Sequence, residues 1–198
     1  MKSLCVYCGS SFGNGTVYAD AARSLANEMV ARGIALVYGG GKVGLMGVIA
    51  DEVLRLGGSV TGVIPQALLD KEVGHTGLTK QHVVQDMHER KALMAELADG
   101  FIAMPGGIGT LEELFEILTW AQLGFHRKPI GMLNVAGFYD GLAAFLQTQV
   151  TQGFVSERQA ALLLCEAAPS ALLVRMRNYV PPESTKLRDA LAAQQLFR

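Results

Sequence analysis

The chain has 198 residues, half of them hydrophobic and 18% charged, with a formal net charge of −1. That supplies apolar material for one substantial core; with no lysine/arginine-rich block and no net positive charge, it offers little to a nucleic-acid backbone. No apolar run reaches the ~20 residues that span a bilayer, so no membrane partner is expected.

Strands are expected at 4–8, 34–38, 59–64, 81–84, 100–104, 129–133 and 161–165, separated by helices near 17–32, 44–56, 87–98, 110–123, 138–152 and 169–179. This alternation predicts an α/β fold, a three-layer, Rossmann-like, doubly wound parallel sheet of about seven strands. Residues 1–180 read as a single domain, and 181–198 as a C-terminal tail forming a short helix. Ligands of such sheets bind beyond the carboxyl ends of the strands, where the strand order reverses.

The opening Met1-Lys2-Ser3-Leu4-Cys5-Val6-Tyr7 goes straight into a strand with no separate apolar h-region, which predicts a cytoplasmic protein. Cys5-Val6-Tyr7-Cys8 matches C-x-x-C, but both cysteines fall within or at the end of an apolar strand. With three cysteines in all and no second ligand pair, they read as small reduced core residues.

After the second strand comes Gly39-Gly40-Gly41-Lys42-Val43-Gly44-Leu45-Met46-Gly47, in which Gly39, Gly41 and Gly44 satisfy G-x-G-x-x-G. A redox dinucleotide site would also need an acidic residue at the end of the next strand, and that strand closes Val63-Ile64-Pro65-Gln66. The loop lacks the G-K-[ST] of a P-loop as well. A phosphate or nucleotide cradle is the reading left, with Gly40, Gly41 and Gly44 in it.

Asp86-Met87-His88-Glu89-Arg90-Lys91 opens the fourth expected helix. Its adjacent cations could hold a phosphate and polarise a leaving group, Arg90 by a planar fork and Lys91 as a point charge. Taken alone they could equally be a solvated helix start. Then comes Met104-Pro105-Gly106-Gly107-Ile108-Gly109-Thr110-Leu111-Glu112-Glu113, joining a buried strand, a glycine turn and a helix start. Glycines there can take φ > 0 and admit an anion to the main chain, where the first helical N–H groups point at it. Thr110 and Glu113 also fit a capping box, which would occupy both without chemistry.

His75, His82 and His126 lack metal-ligand spacing and read as polar loop or packing residues, so no metal site is expected. No G-x-S-x-G nucleophile elbow occurs.

The segments from Gly39 to Gly47, Met87 to Lys91 and Pro105 to Glu113 together resemble the Lonely Guy (LOG) family of cytokinin-activating nucleoside-monophosphate phosphoribohydrolases, often labelled lysine decarboxylases. The similarity runs from about Lys2 to Tyr179, with no departure inside the motifs. It implies hydrolysis of the N-glycosidic bond of (N6-substituted) adenine nucleoside 5′-monophosphates, releasing free base and ribose 5-phosphate without a cofactor. It implies Arg90 and Glu113 as catalytic residues, and Glu72, Lys91, Gly107, Ile108, Gly109, Thr110, Leu111, Glu112 and Thr119 as substrate-binding. The glycine turn itself places Gly106 in the phosphate cradle with Gly40, Gly41 and Gly44. It also implies a homodimer with both sites near the interface. The breadth of the apolar surface on helix 110–123 suits burial on two sides, as a dimer or a central helix would give.

The chemistry supports these roles independently. Cleaving the bond builds positive charge on the sugar, which a carboxylate stabilises, while the departing purine needs a proton or a cation. The alternative is a nucleotide-sensing module that binds without cleaving. Amino-acid decarboxylation would need a Schiff-base lysine in a setting the sequence does not display.

Overall fold

The computed structural model describes residues 1–71 and 74–182. Seven strands, β1 (Ser3–Tyr7), β2 (Ala35–Tyr38), β3 (Val60–Pro65), β4 (Lys80–Val84), β5 (Phe101–Ala103), β6 (Ile130–Leu133) and β7 (Leu163–Glu166), pair into one sheet. Its order is β4-β3-β2-β1-β5-β6-β7, and every pairing is parallel. Parallel neighbours require a crossover between them, and helices supply it on both faces, as expected of a doubly wound sheet.

The helices are α1 (Val17–Ala31), α2 (Gly44–Arg55), α3 (Gln66–Leu69), α4 (Met87–Leu97), α5 (Ile108–Leu123), α6 (Asp140–Thr151), α7 (Glu157–Ala160) and α8 (Pro169–Arg177). Helix α1 buries Ala22, Leu25, Ala26 and Met29, and α2 buries Leu45, Ile49, Ala50 and Val53, each at helical spacing. They join α8 in one apolar layer; α4, α5 and α6 contribute to the opposite layer around Phe101, Leu114 and Ile117. The central strands β1 and β5 are almost wholly buried, whereas edge strand β4 exposes Lys80, Gln81 and Val83.

The sequence-expected strands and long helices all form, within about two residues of the expected bounds. Two short helices, α3 and α7, were not expected; α7 carries its own signal, a capping box between Ser156 and Gln159. Helix α5 begins at Ile108 rather than at 110, with Gly107 at its N-cap. The capping box expected of Thr110 and Glu113 therefore does not form, and both residues sit inside the first turns. A terminal helix beyond residue 182 falls outside the described residues.

The chain reaches β5 only after returning from β4 to the far side of β1, so the order reverses between β1 and β5. Their carboxyl ends, at Tyr7 and Ala103, flank the crevice where doubly wound sheets hold ligands.

Candidate active site

Two helix N-termini converge on that crevice. Helix α2 starts at Gly44 with Val43 as N-cap, and α5 starts at Ile108 after Gly107; neither cap residue makes a side-chain bond to the helix. No side chain therefore occupies the first N–H groups; the Leu45 N–H is taken by the Gly9 carbonyl and the Thr110 N–H by the Gly107 carbonyl, and those at Gly107 to Gly109 are left for solvent or an anion. Both ends close on the loop after β1. A Cβ on Gly44, which has φ +58°, would lie 2.2 Å from the Ser10 carbonyl carbon, and one on Gly106 would lie 2.9 Å from the Gly9 nitrogen. Backbone bonds fix the arrangement, from Gly9 N–H to the Pro105 carbonyl (3.1 Å) and from Leu45 N–H to the Gly9 carbonyl (3.0 Å).

The glycine turn before α5 works differently from the sequence expectation. Gly106, Gly107 and Gly109 all lie outside the positive-φ region. Gly106 is there for close approach, since a Cβ would meet Thr110 Oγ1 at 2.1 Å; at Gly107 and Gly109 a Cβ would meet nothing within 4 Å. Their missing side chains leave the helix N-terminus open from above. In the other turn Gly40 has φ +73°, and Gly41 forms an antiparallel bridge with Gly74.

Arg90 and Glu113 face each other across this crevice, Nη1 to Oε1 at 3.8 Å, both side chains largely buried. Arg90 sits in the first turn of α4, which Asp86 caps by accepting the Glu89 N–H at 2.8 Å. Its guanidinium donates from Nε to the Val63 carbonyl and from Nη2 to the Gly39 carbonyl, both at 3.2 Å, and Nη1 lies 3.6 Å from Met87 Sδ. The arginine is thus moored to the ends of β3 and β2, with one edge turned to the carboxylate. Burial pushes the Glu113 carboxyl up to about 7, against the lowering by Arg90; Glu112 raises it further.

Lys91, the neighbouring cation, is engaged by two carboxylates of α5, Glu112 at 2.6 Å and Glu116 at 2.9 Å. Burial works against its charge, but the bonds to Glu112 and Glu116 outweigh that and hold its pKa up. Consecutive residues of α4 therefore meet consecutive residues of α5. Thr110 is buried, Leu111 is half-buried within the apolar layer, and Ile108 is 86% exposed at the rim.

Thr119 is not brought to this crevice. Six residues beyond Glu113, it is turned about 240° around α5 and lies about 9 Å along it. It lines a separate cavity of about 350 Å³ with Phe115, Met132, Leu146 and Cys165, and its hydroxyl donates to the Phe115 carbonyl at 2.7 Å. Glu72 lies outside the described residues.

Sequence reasoning missed the loop Gly9-Ser10-Ser11 and the aromatic pair Tyr18 and Phe138. Together with Gly106 and Gly107 they line a cavity of about 200 Å³ at the strand-order reversal. The available signal was a run of three small residues directly after the first strand, in a fold whose first crossover borders the switch point. The buried cysteines Cys5 and Cys8 have thiols pushed far up, first by burial and then by Glu113. Among the described residues no group of three or more histidine, cysteine or acidic side chains could hold a metal ion, and no helix is long and apolar enough to cross a membrane.

Comparison with known proteins agrees with this geometry. A family model described as "Possible lysine decarboxylase" matches residues 46–176. A probable cytokinin riboside 5′-monophosphate phosphoribohydrolase of Oryza sativa subsp. japonica, LOGL3, is 49% identical over 180 residues, 91% of this chain and 85% of that protein. The cytokinin riboside 5′-monophosphate phosphoribohydrolase LOG7 of Arabidopsis thaliana is 47% identical over 198 residues, 100% of this chain and 90% of its own length. A molybdenum cofactor binding protein from Rippkaea orientalis superposes with a TM-score of 0.67 at 17% identity, covering 90% of this chain and 97% of that one, a likeness of fold alone. The chain belongs to the LOG family, the cytokinin riboside 5′-monophosphate phosphoribohydrolases whose family model carries the lysine decarboxylase label.

Proposed function

We propose that the protein hydrolyses the N-glycosidic bond of adenine nucleoside 5′-monophosphates, including N6-substituted ones, to free base and ribose 5-phosphate. The observation that carries the reading is the buried Arg90–Glu113 pair, 3.8 Å apart, beside two helix N-termini that lack side-chain caps. The 5′-phosphate binds the N–H groups at Gly107 to Gly109, with the turn at Gly40 to Gly44 completing the cradle. Phosphate binding positions the anomeric carbon. Glu113, ionised, stabilises positive charge on the ribose and orients water toward that carbon, while Arg90 stabilises electron density gathering on the departing purine. Arginine is a poor proton donor near neutral pH, so Arg90 acts through its charge.

Lys91 and Glu112 hold α4 on α5 around the pair and border the nucleotide. An amine that forms a Schiff base must lose its proton; Lys91 is kept charged by two carboxylates, which disfavours decarboxylation at this lysine. We propose a cytoplasmic homodimer. No residue of α6 is fully buried and Phe145 is 57% exposed, which leaves an apolar face for a second copy. Thr119 borders that face, so its contact with substrate would be made to the partner's site.

The test is incubation with AMP and with N6-isopentenyl-AMP, following free base by chromatography. Release from both, abolished by Arg90→Ala or Glu113→Ala and much slower from the dephosphorylated nucleosides, is the expected result. Equal turnover of nucleoside and nucleotide would overturn the phosphate cradle. Tight binding without release would favour a nucleotide sensor.

A further inference from the structure

The glycine turn that receives Arg90 is held from its other side by a segment to which the proposed chemistry assigns nothing. Residues 74–77 fold back onto the turn: Gly74 bridges to Gly41, and the His75 N–H donates to the Gly40 carbonyl at 2.9 Å. The His75 ring fixes this segment at both nitrogens. Nδ1 accepts the Gly77 N–H at 3.0 Å, so the proton resides on Nε2, which faces Asp51 Oδ1 of α2 at 2.9 Å. The imidazole is 11% exposed. One residue before Gly40, the Gly39 carbonyl accepts from Arg90 Nη2 at 3.2 Å.

A continuous path therefore runs from Asp51 through the His75 ring and main chain, and through Gly40 and Gly39, to the guanidinium. The turn has no side chains of its own at 39–41 with which to resist displacement. We infer that Asp51 and His75 form a positioning pair, docking segment 74–77 on the glycine turn so that the Gly39 carbonyl holds Arg90 at its place opposite Glu113. Neither side chain touches the reacting atoms in this scheme. The inference rests on the catalytic role proposed for Arg90.

Steady-state kinetics with AMP on the full chain test it, using Arg90→Ala, His75→Ala, His75→Gln, Asp51→Ala and the Asp51→Ala/His75→Ala double variant. Displacing a catalytic group by a fraction of an ångström should lower kcat about tenfold in each alanine variant, with KM within about twofold. The double variant should lose no more than either single one, because both act on one path. His75→Gln, which keeps a donor toward Asp51, should restore most of kcat. Additive losses, an unchanged kcat in His75→Ala, or a rise in KM alone would overturn the positioning role. The proposed chemistry fails separately: a wild-type protein that releases no base, or an Arg90→Ala variant with full turnover, removes the reaction itself and with it the purpose assigned to the pair.

Discussion

Glu113 carries its charge in a place that resists it. Burial raises its carboxyl from 4.5 to about 7, and Arg90 at 3.8 Å offsets only part of that. The folded protein thus holds a proton on Glu113 between about pH 4.5 and 7 that the unfolded chain has released. Across that window rising pH removes stability, and above about pH 7 the whole loss is in place. Glu113→Gln abolishes the loss, so the variant should exceed the wild type in stability by a margin growing from pH 5 to pH 8, reaching about 1–3 kcal/mol. Its turnover should fall about 100-fold or more, and wild-type kcat/KM should decline as pH drops below about 7. Thermal melts at the two pH values and a pH–rate profile check both, and a margin constant with pH would contradict the burial argument. The sequence presented Glu113 as one half of a capping box, since spacing alone cannot distinguish a glutamate that bonds back to the cap from one directed into the sheet.

At the scale of elements the site depends on how α4 meets α5. Arg90 and Lys91 on one helix face Glu113 and Glu112 on the other, with Glu116 a turn later. The other side of Arg90 is set by strand ends. A Cβ built on Gly39 would come within 1.8 Å of Arg90 Nη2, while the Gly39 backbone lies outside the positive-φ region. Alanine there meets little backbone strain and acts by displacing the guanidinium. Gly39→Ala should approach Arg90→Ala in its loss of kcat, about 100-fold or more, and should add nothing in the Arg90→Ala background. Kinetics of the three variants decide it; a further loss in the double variant would place Gly39 on a separate function. The sequence marked Gly39 only as the first glycine of a G-x-G-x-x-G match. Its close contact is with an arginine 51 positions away, which no local pattern encodes.

At the scale of the whole molecule, the reversal between β1 and β5 gathers loops from four parts of the chain into one crevice, and the apolar face of α6 lies elsewhere. The proposed homodimer should sediment at twice the monomer mass, and Phe145→Asp should shift it toward monomer with the fold retained; a wild-type protein that is fully active as a monomer would remove the proposal. By itself the sequence determined the alternation of strands and helices, and hence the parallel sheet, because apolar period and glycine punctuation are local properties. It also named Arg90 and Glu113 as candidates, through motifs whose residues lie close in the chain, and the two side chains meet at 3.8 Å in the fold. Only the tertiary structure decided that Arg90 hangs from the carbonyls of Val63 and Gly39, that Lys91 is engaged by Glu112 and Glu116, that Thr119 turns away, and that Gly9 to Ser11 line a cavity with Gly106 and Gly107 at the reversal. Each of these is a contact between segments that meet only when crossover helices bring distant strand ends together, and a helix places side chains by angle as well as by order.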